Sequence, residues 1–321
     1  MKKGRVRVFF CLLILILLLK PSGAVASDPV FSQFFASPVY LNPAFSGAAH
    51  CSRVAMHYQQ IQSIENYRNL NLSFDTFVPW LQGGIGAIIT SDQADMYQSR
   101  HMIGMSYAYH LRVSRNTNIH FGIQAGYIRN DSRWSRFEFP DTESETPPEQ
   151  FWSDGVDFSA GILAYNERWY AGFAAHHLNR PDMSLLRGGD ARLPIKYTAH
   201  MGGWFENTGR GMGPAYVLSP NLILQSQGYH THINAGLYAG VEPVMAGVWF
   251  RHWLNYPLEG NNSLIFLVSF KFDNYQLAYS YDHSLSGFSD LTAGVHELSL
   301  VLKFNCSRRN MRYHILNCPT F

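Results

Sequence analysis

A period of two recurs over most of this 321-residue chain and constrains its fold more than any other feature. From Asn69 to Val78, Leu70, Leu72 and Phe74 alternate with Asn71, Ser73 and Asp75. From Asn118 to Asn130, Ile119, Phe121, Ile123, Ala125 and Tyr127 alternate with His120, Gly122, Gln124 and Gly126, and Leu298, Leu300, Leu302 and Phe304 repeat the pattern near the end. Successive side chains of a strand point to opposite faces, so each stretch has one apolar and one polar face. Strands are expected near 53–62, 69–78, 82–91, 100–111, 118–130, 156–166, 168–178, 195–206, 215–226, 230–241, 244–252, 262–271, 274–283 and 294–305. These are about 14 segments of about 9 to 13 residues, the length a tilted membrane-spanning strand needs.

Composition decides what that pattern means. Charged residues make up 15% of the chain, against about 25% in an ordinary soluble protein. Aromatics also reach 15%, and there are 26 glycines. Past the first 26 residues there is no apolar run of about 20, so membrane helices are not expected. The expected fold is all-β: a transmembrane antiparallel β-barrel of about 14 strands with a short N-terminal periplasmic or plug segment. The odd-numbered connections are together much longer than the even-numbered ones, as they are in a barrel whose termini are periplasmic. Trp80, Trp169, Trp204, Trp249 and Trp253 fall at or near the expected strand ends, where a girdle places them.

Residues 1–26 read as a secretory signal: Lys2, Lys3, Arg5 and Arg7, then the apolar run Phe9 to Leu19, then Ala24-Val25-Ala26. Its five bases and no acid, taken from 25 bases and 23 acids, leave a mature net charge of −3. The basic footprint of a nucleic-acid binder is absent. The remainder divides into an N-terminal periplasmic segment (27–52), the barrel (53–305) and a periplasmic C-terminal tail (306–321).

Asp28 to Gly47, DPVFSQFFASPVYLNPAFSG, is too interrupted by Pro29, Pro38 and Pro43 for long regular structure, yet it carries five aromatic rings. Something must bury them. It is expected against the inner or lower rim of the barrel, with Phe31, Phe34 and Phe35 on one face of a short helical turn. Tyr40 belongs to the same contact set, and Asn42-Pro43 steers the chain into the first strand.

Motifs for catalysis are lacking: there is no P-loop, dinucleotide fingerprint, Gly-x-Ser-x-Gly elbow or zinc helix. His176-His177 and His230-x-His232 come nearest to metal ligands, but without a carboxylate or cysteine at set spacing they read as polar lumen or rim residues. Asp282 and His283, near Ser280 and Ser286, have the residue types of a barrel hydrolase. Being adjacent on a strand, they face opposite sides. Cys51, Cys306 and Cys318 remain after processing and allow one disulfide, either Cys51–Cys306 across the seam between first and last strands or Cys306–Cys318 locally.

Asp28-Pro29, Phe31-Ser32-Gln33, Tyr40-Leu41-Asn42-Pro43-Ala44 and Gly47 together resemble the N-terminal signature of the PorP/SprF family of type IX secretion system membrane proteins. Tyr67-Arg68-Asn69, His177-Leu178, Tyr281-Asp282-His283-Ser284-Leu285-Ser286, His296-Glu297-Leu298 and Cys318-Pro319-Thr320-Phe321 extend the resemblance over the mature chain. The chain departs from the family where a Tyr-Arg-x-Gln-Trp-like run is usual, reading Tyr67-Arg68-Asn69-Leu70-Asn71 instead. The resemblance implies a non-enzymatic outer-membrane barrel without a cofactor. Its implied partners are outer-membrane lipids, other type IX secretion components (periplasmic or lipoprotein) and one secreted adhesin, including those of gliding motility. A FadL-like channel for hydrophobic solutes, which also combines about 14 strands with a plug, is the rival reading.

Overall fold

The computed structural model describes residues 27–63, 67–94, 98–132, 151–185, 190–207, 216–254, 262–285 and 292–304, without the side chains of 62, 63, 151, 292 and 293. Fourteen antiparallel staves close into one barrel. They are β1 (Ser52–Ser63), β2 (Tyr67–Val78), β3 (Gly83–Ala94), β4 (Gln98–Arg112), β5 (Asn118–Ser132), β6 (Phe151–Tyr165), β7 (Trp169–His176), β8 (Lys196–Gly203, continued by Phe205–Asn207), β9 (Tyr216–Gln227), β10 (His230–Val241), β11 (Val244–Trp253), β12 (Ser263–Phe272), β13 (Tyr275–Ser284) and β14 (Thr292–Phe304). Each pairs with its sequence neighbours, and β1 closes the ring on β14 with Ser52 opposite Phe304 and Tyr58 opposite Leu298. Trp204 interrupts β8, so two short pieces pair in turn with β9.

The alternation sorts as its chemistry requires. On β2, Asn69, Asn71, Ser73 and Asp75 are buried while Leu70 and Leu72 are exposed. On β5, His120 and Gln124 are buried while Phe121, Ile123 and Tyr127 face out. An outer wall of apolar side chains around a polar interior is what a barrel in lipid must present, since closure leaves no unpaired strand edge in the hydrocarbon. Of the tryptophans, Trp80 and Trp169 are exposed, but Trp249 is buried. It lies in mid-strand opposite Gly236 and shares the lumen face with Arg251, so it packs the interior and is not a girdle ring.

The two longest connections, after β5 and after β7, leave from the same end of the barrel. We call this the loop end, and the end where β1 begins the turn end. The acidic stretch DTESETPPEQ, at 141–150 in the connection after β5, lies outside the described residues.

About eight strands close a lumen that side chains alone can fill, whereas 16 or more leave a channel. Fourteen fall between, and residues 28–50 occupy the space. Phe31, Ser32, Gln33, Ala36, Asn42, Ala44 and Phe45 are all buried. Among the described residues, inward side chains such as His57, Asn71, His120, Thr198, Asn234 and Ser280 are buried too, and do not line open water.

Candidate functional site

The luminal segment runs the length of the barrel. Asp28 lies near the loop end, beside Lys196 at the start of β8 and His177 just past β7. Ser46 and Gly47 lie by the turn end, where the chain enters β1. The segment is therefore inside the wall as a plug, one of the two expected placements, and not at the lower rim. Its two helical turns, an α turn at Pro38–Leu41 and a 3-10 turn at Pro43–Phe45, hold none of the three phenylalanines. The three do not share one face: Phe31 packs on Tyr40 (5.0 Å) and His57 (4.4 Å), whereas Phe34 and Phe35 pack on the adjoining rings of Trp249 (5.1 Å) and Tyr238 (5.7 Å). The physical reason is the enclosure itself. A segment surrounded by wall on every side gains most by burying rings in several directions, whereas a rim segment would have only one face to bury.

From Asn42 to Gly47 the backbone touches the wall. Asn42 is extended, and its side-chain oxygen Oδ1 accepts from the Ala44 amide (2.9 Å), capping the turn Pro43–Phe45. Its side-chain Nδ2 donates to the Ile162 carbonyl (3.1 Å) and faces Nε2 of His200 at 3.0 Å. The site of a Cβ at Gly122 is 2.2 Å from the Ala44 nitrogen, so only glycine fits on that part of β5. Gly47 has a φ of +70° and itself approaches Gly84, whose added Cβ would lie 2.6 Å from the Gly47 Cα. The Gly47 amide donates to Asp75 (2.9 Å), whose other oxygen accepts from Arg53 (2.8 Å). The Asn42 side chain thus ties the segment to β6, β7 and β8.

From Asp28 to Gln33 charged and polar side chains hold the segment. The Ser32 amide donates to both oxygens of Glu297 (2.8 and 2.9 Å), and the Gln33 amide adds a third bond (3.1 Å). His57 Nε2 and Gln59 complete the shell of that carboxylate at 3.0 and 2.6 Å. Arg251 donates to Asp282 (2.7 Å), Asn234 (2.8 Å) and the Ser32 hydroxyl (2.9 Å). Gln33 reaches Ser280 and the Glu297 carbonyl, each at 3.0 Å.

Asp28 meets three cations: His177 at 2.8 Å, Lys196 at 3.4 Å and Arg100 at 3.4 Å. His177 Nδ1 also bonds Asp157 at 2.9 Å, so both ring nitrogens donate and the ring is an imidazolium. Burial works against that charge, but Asp28 and Asp157 raise His177 to about 9. Burial likewise works against the Asp28 carboxylate, and the cations His177, Lys196 and Arg100 nonetheless hold it well below the usual range.

Motifs far apart in sequence therefore meet in the lumen: Phe31-Ser32-Gln33 with Asp282 and Glu297, and Asp28 with His177. Alternation on strands identified as inward-facing could have located Arg100, Asp157, Lys196 and Arg251, but nothing in the sequence pairs them with Asp28 or Ser32. Among the described residues no group of His, Cys, Asp or Glu is placed to hold a metal. His232 bonds Gln225 at 3.1 Å, and His230 packs edge-on to Trp253. Asp282 is buried and salt-bridged while its neighbour His283 is exposed, so the two do face opposite sides. Cys51 is disulfide-bonded; Cys306 and Cys318 lie outside the described residues.

A closed barrel, apolar outside and filled inside by its own N-terminal segment, defines a membrane-spanning β-barrel with a self-plugged lumen. Residues 24–302 match the family model described as type IX secretion system membrane protein PorP/SprF, and the chain belongs to that family. Comparison with curated proteins returns no match. Among solved structures, the chain is similar to the KdgM porin in complex with disordered oligogalacturonate (7% identity, 79% of this chain and 99% of that one, TM-score 0.40). It is also similar to Omp33 of Acinetobacter baumannii (8% identity, 81% and 100%, TM-score 0.45) and to BamA of Haemophilus ducreyi (10% identity, 79% and 70%, TM-score 0.43).

Proposed function

We propose that this protein is a non-enzymatic outer-membrane component of the type IX secretion system, serving protein secretion or the export and surface anchoring of a large adhesin. The observation that carries the reading is the luminal segment. The residues that mark the family, Asp28 to Gly47, are spent on filling the pore, which suits a rigid platform for partners better than a permanent passage for solutes. Its partners in this reading are outer-membrane lipids, periplasmic or lipoprotein components of the secretion apparatus, and a secreted adhesin.

In this orientation the loop end faces outward and the turn end faces the periplasm. The C-terminal tail then begins on the periplasmic side, whereas the start of the mature chain is carried up the lumen toward the outer face. A deletion strain tests the role. Loss of secreted or surface-displayed proteins is expected. Normal secretion with defective uptake of a hydrophobic solute would replace this reading with the FadL-like one.

A further inference from the structure

The contact at Asp28 differs in kind from the rest of the luminal segment. Arg100, His177 and Lys196 come from β4, the chain just past β7, and β8, and converge on a carboxylate at the loop end of the segment. Asp28 and Arg100 side chains keep 12% and 13% of their surface, so the site is not sealed. Asp157 and Asp92 line the same cavity. Three cations thus face three carboxylates, and withdrawing Asp28 leaves the wall one positive charge in excess. A partly buried charge that loses its partner favours a replacement of the same sign.

We propose that Arg100, His177 and Lys196 form a carboxylate-binding site on the barrel wall, that Asp28 fills it in cis, and that the acidic side chain of a peptide arriving at the loop end competes for it. The luminal segment is then an intramolecular ligand, tethered firmly at Asn42–Gly47 and exchangeable at its tip. The site stands on geometry alone and does not depend on the secretion role.

The test uses the full-length protein in detergent and acetyl-aspartyl-amide, which carries one carboxylate, as the probe. By isothermal titration the D28A chain should bind it about tenfold more tightly than the wild type, an ordinary size for coupling between competing occupants. The gain should vanish in D28A/R100Q/K196Q, and acetyl-asparaginyl-amide should show none. Equal binding by D28A and the wild type, or a gain that survives neutralising the wall, would overturn the proposal. D28S serves if D28A does not give a heat-modifiable barrel. Failure of both to fold makes Asp28 a structural tie, and that also overturns it.

Discussion

The two ends of the luminal segment are held differently. Asn42 to Gly47 adds close fit to its hydrogen bonds: its backbone lies where the wall has glycine, at Gly84 and Gly122. Asp28 to Gln33 is fixed by charge and hydrogen bonds: carboxylates, amides and guanidinium groups that water or another solute can match in kind. Shape contacts are lost only when the wall itself moves, because protein interiors are close-packed and do not yield gradually. Polar contacts can be exchanged one partner at a time. One chain thus combines a fixed root at the turn end with a tip whose contacts are replaceable.

The largest effect is expected where polar contacts are both dense and fully buried. Glu297→Ala leaves two buried backbone amides, His57 and Gln59 without their acceptor, and breaking such a site costs about 3–5 kcal/mol. Denaturant unfolding of the purified barrel would measure it, and a loss below 1 kcal/mol would show that water substitutes freely even at Ser32. Gly122→Ala comes next. Its methyl would lie against the Ala44 amide, and the overpacking should cost about 1–3 kcal/mol. If the variant is as stable as the wild type, the root is not held by shape.

A pH series separates the two ends without mutation. The His177 contribution is complete below its ordinary 6.5 and lost as pH rises through about 9, because its folded value is raised. The Asp28 contribution is present above 3.8 and lost as pH falls into the lowered range. Amide exchange at residues 28–31 should therefore accelerate between pH 7 and 10 beyond the intrinsic base-catalysed rise, with Asn42–Gly47 still protected. Equal acceleration of both stretches would remove the distinction. The smallest effect concerns the seam. Ser52 faces Phe304, so peptide mapping under non-reducing conditions should recover Cys51 joined to Cys306, and a Cys306–Cys318 peptide would exclude that pairing.

How much of this was legible in the sequence depends on the range of the interaction. Alternation is local, so all fourteen staves could be read within a few residues of their ends. Trp249 misled because a ring near a strand end suits a girdle; the parity it shares with Arg251 places it inward. The aromatic density of Asp28–Gly47 required burial, but the direction did not follow. A segment folded back through a lumen is positioned by pairings such as Asp28–His177 and Ser32–Glu297, which span most of the chain. The glycine at 122 could be read as a weak strand residue, not as the seat of Ala44, because the meaning of a missing side chain lies in its neighbour.

The chain's own N-terminal segment fills the barrel, and an engineered disulfide can report it. The hydroxyls of Ser46 on the segment and Ser106 on β4 are 2.7 Å apart. The S46C/S106C protein, isolated from membranes with free thiols blocked, should carry a spontaneous cross-link that shifts its migration only without reductant. Two freely alkylated cysteines in a folded, heat-modifiable barrel would place the segment outside the lumen.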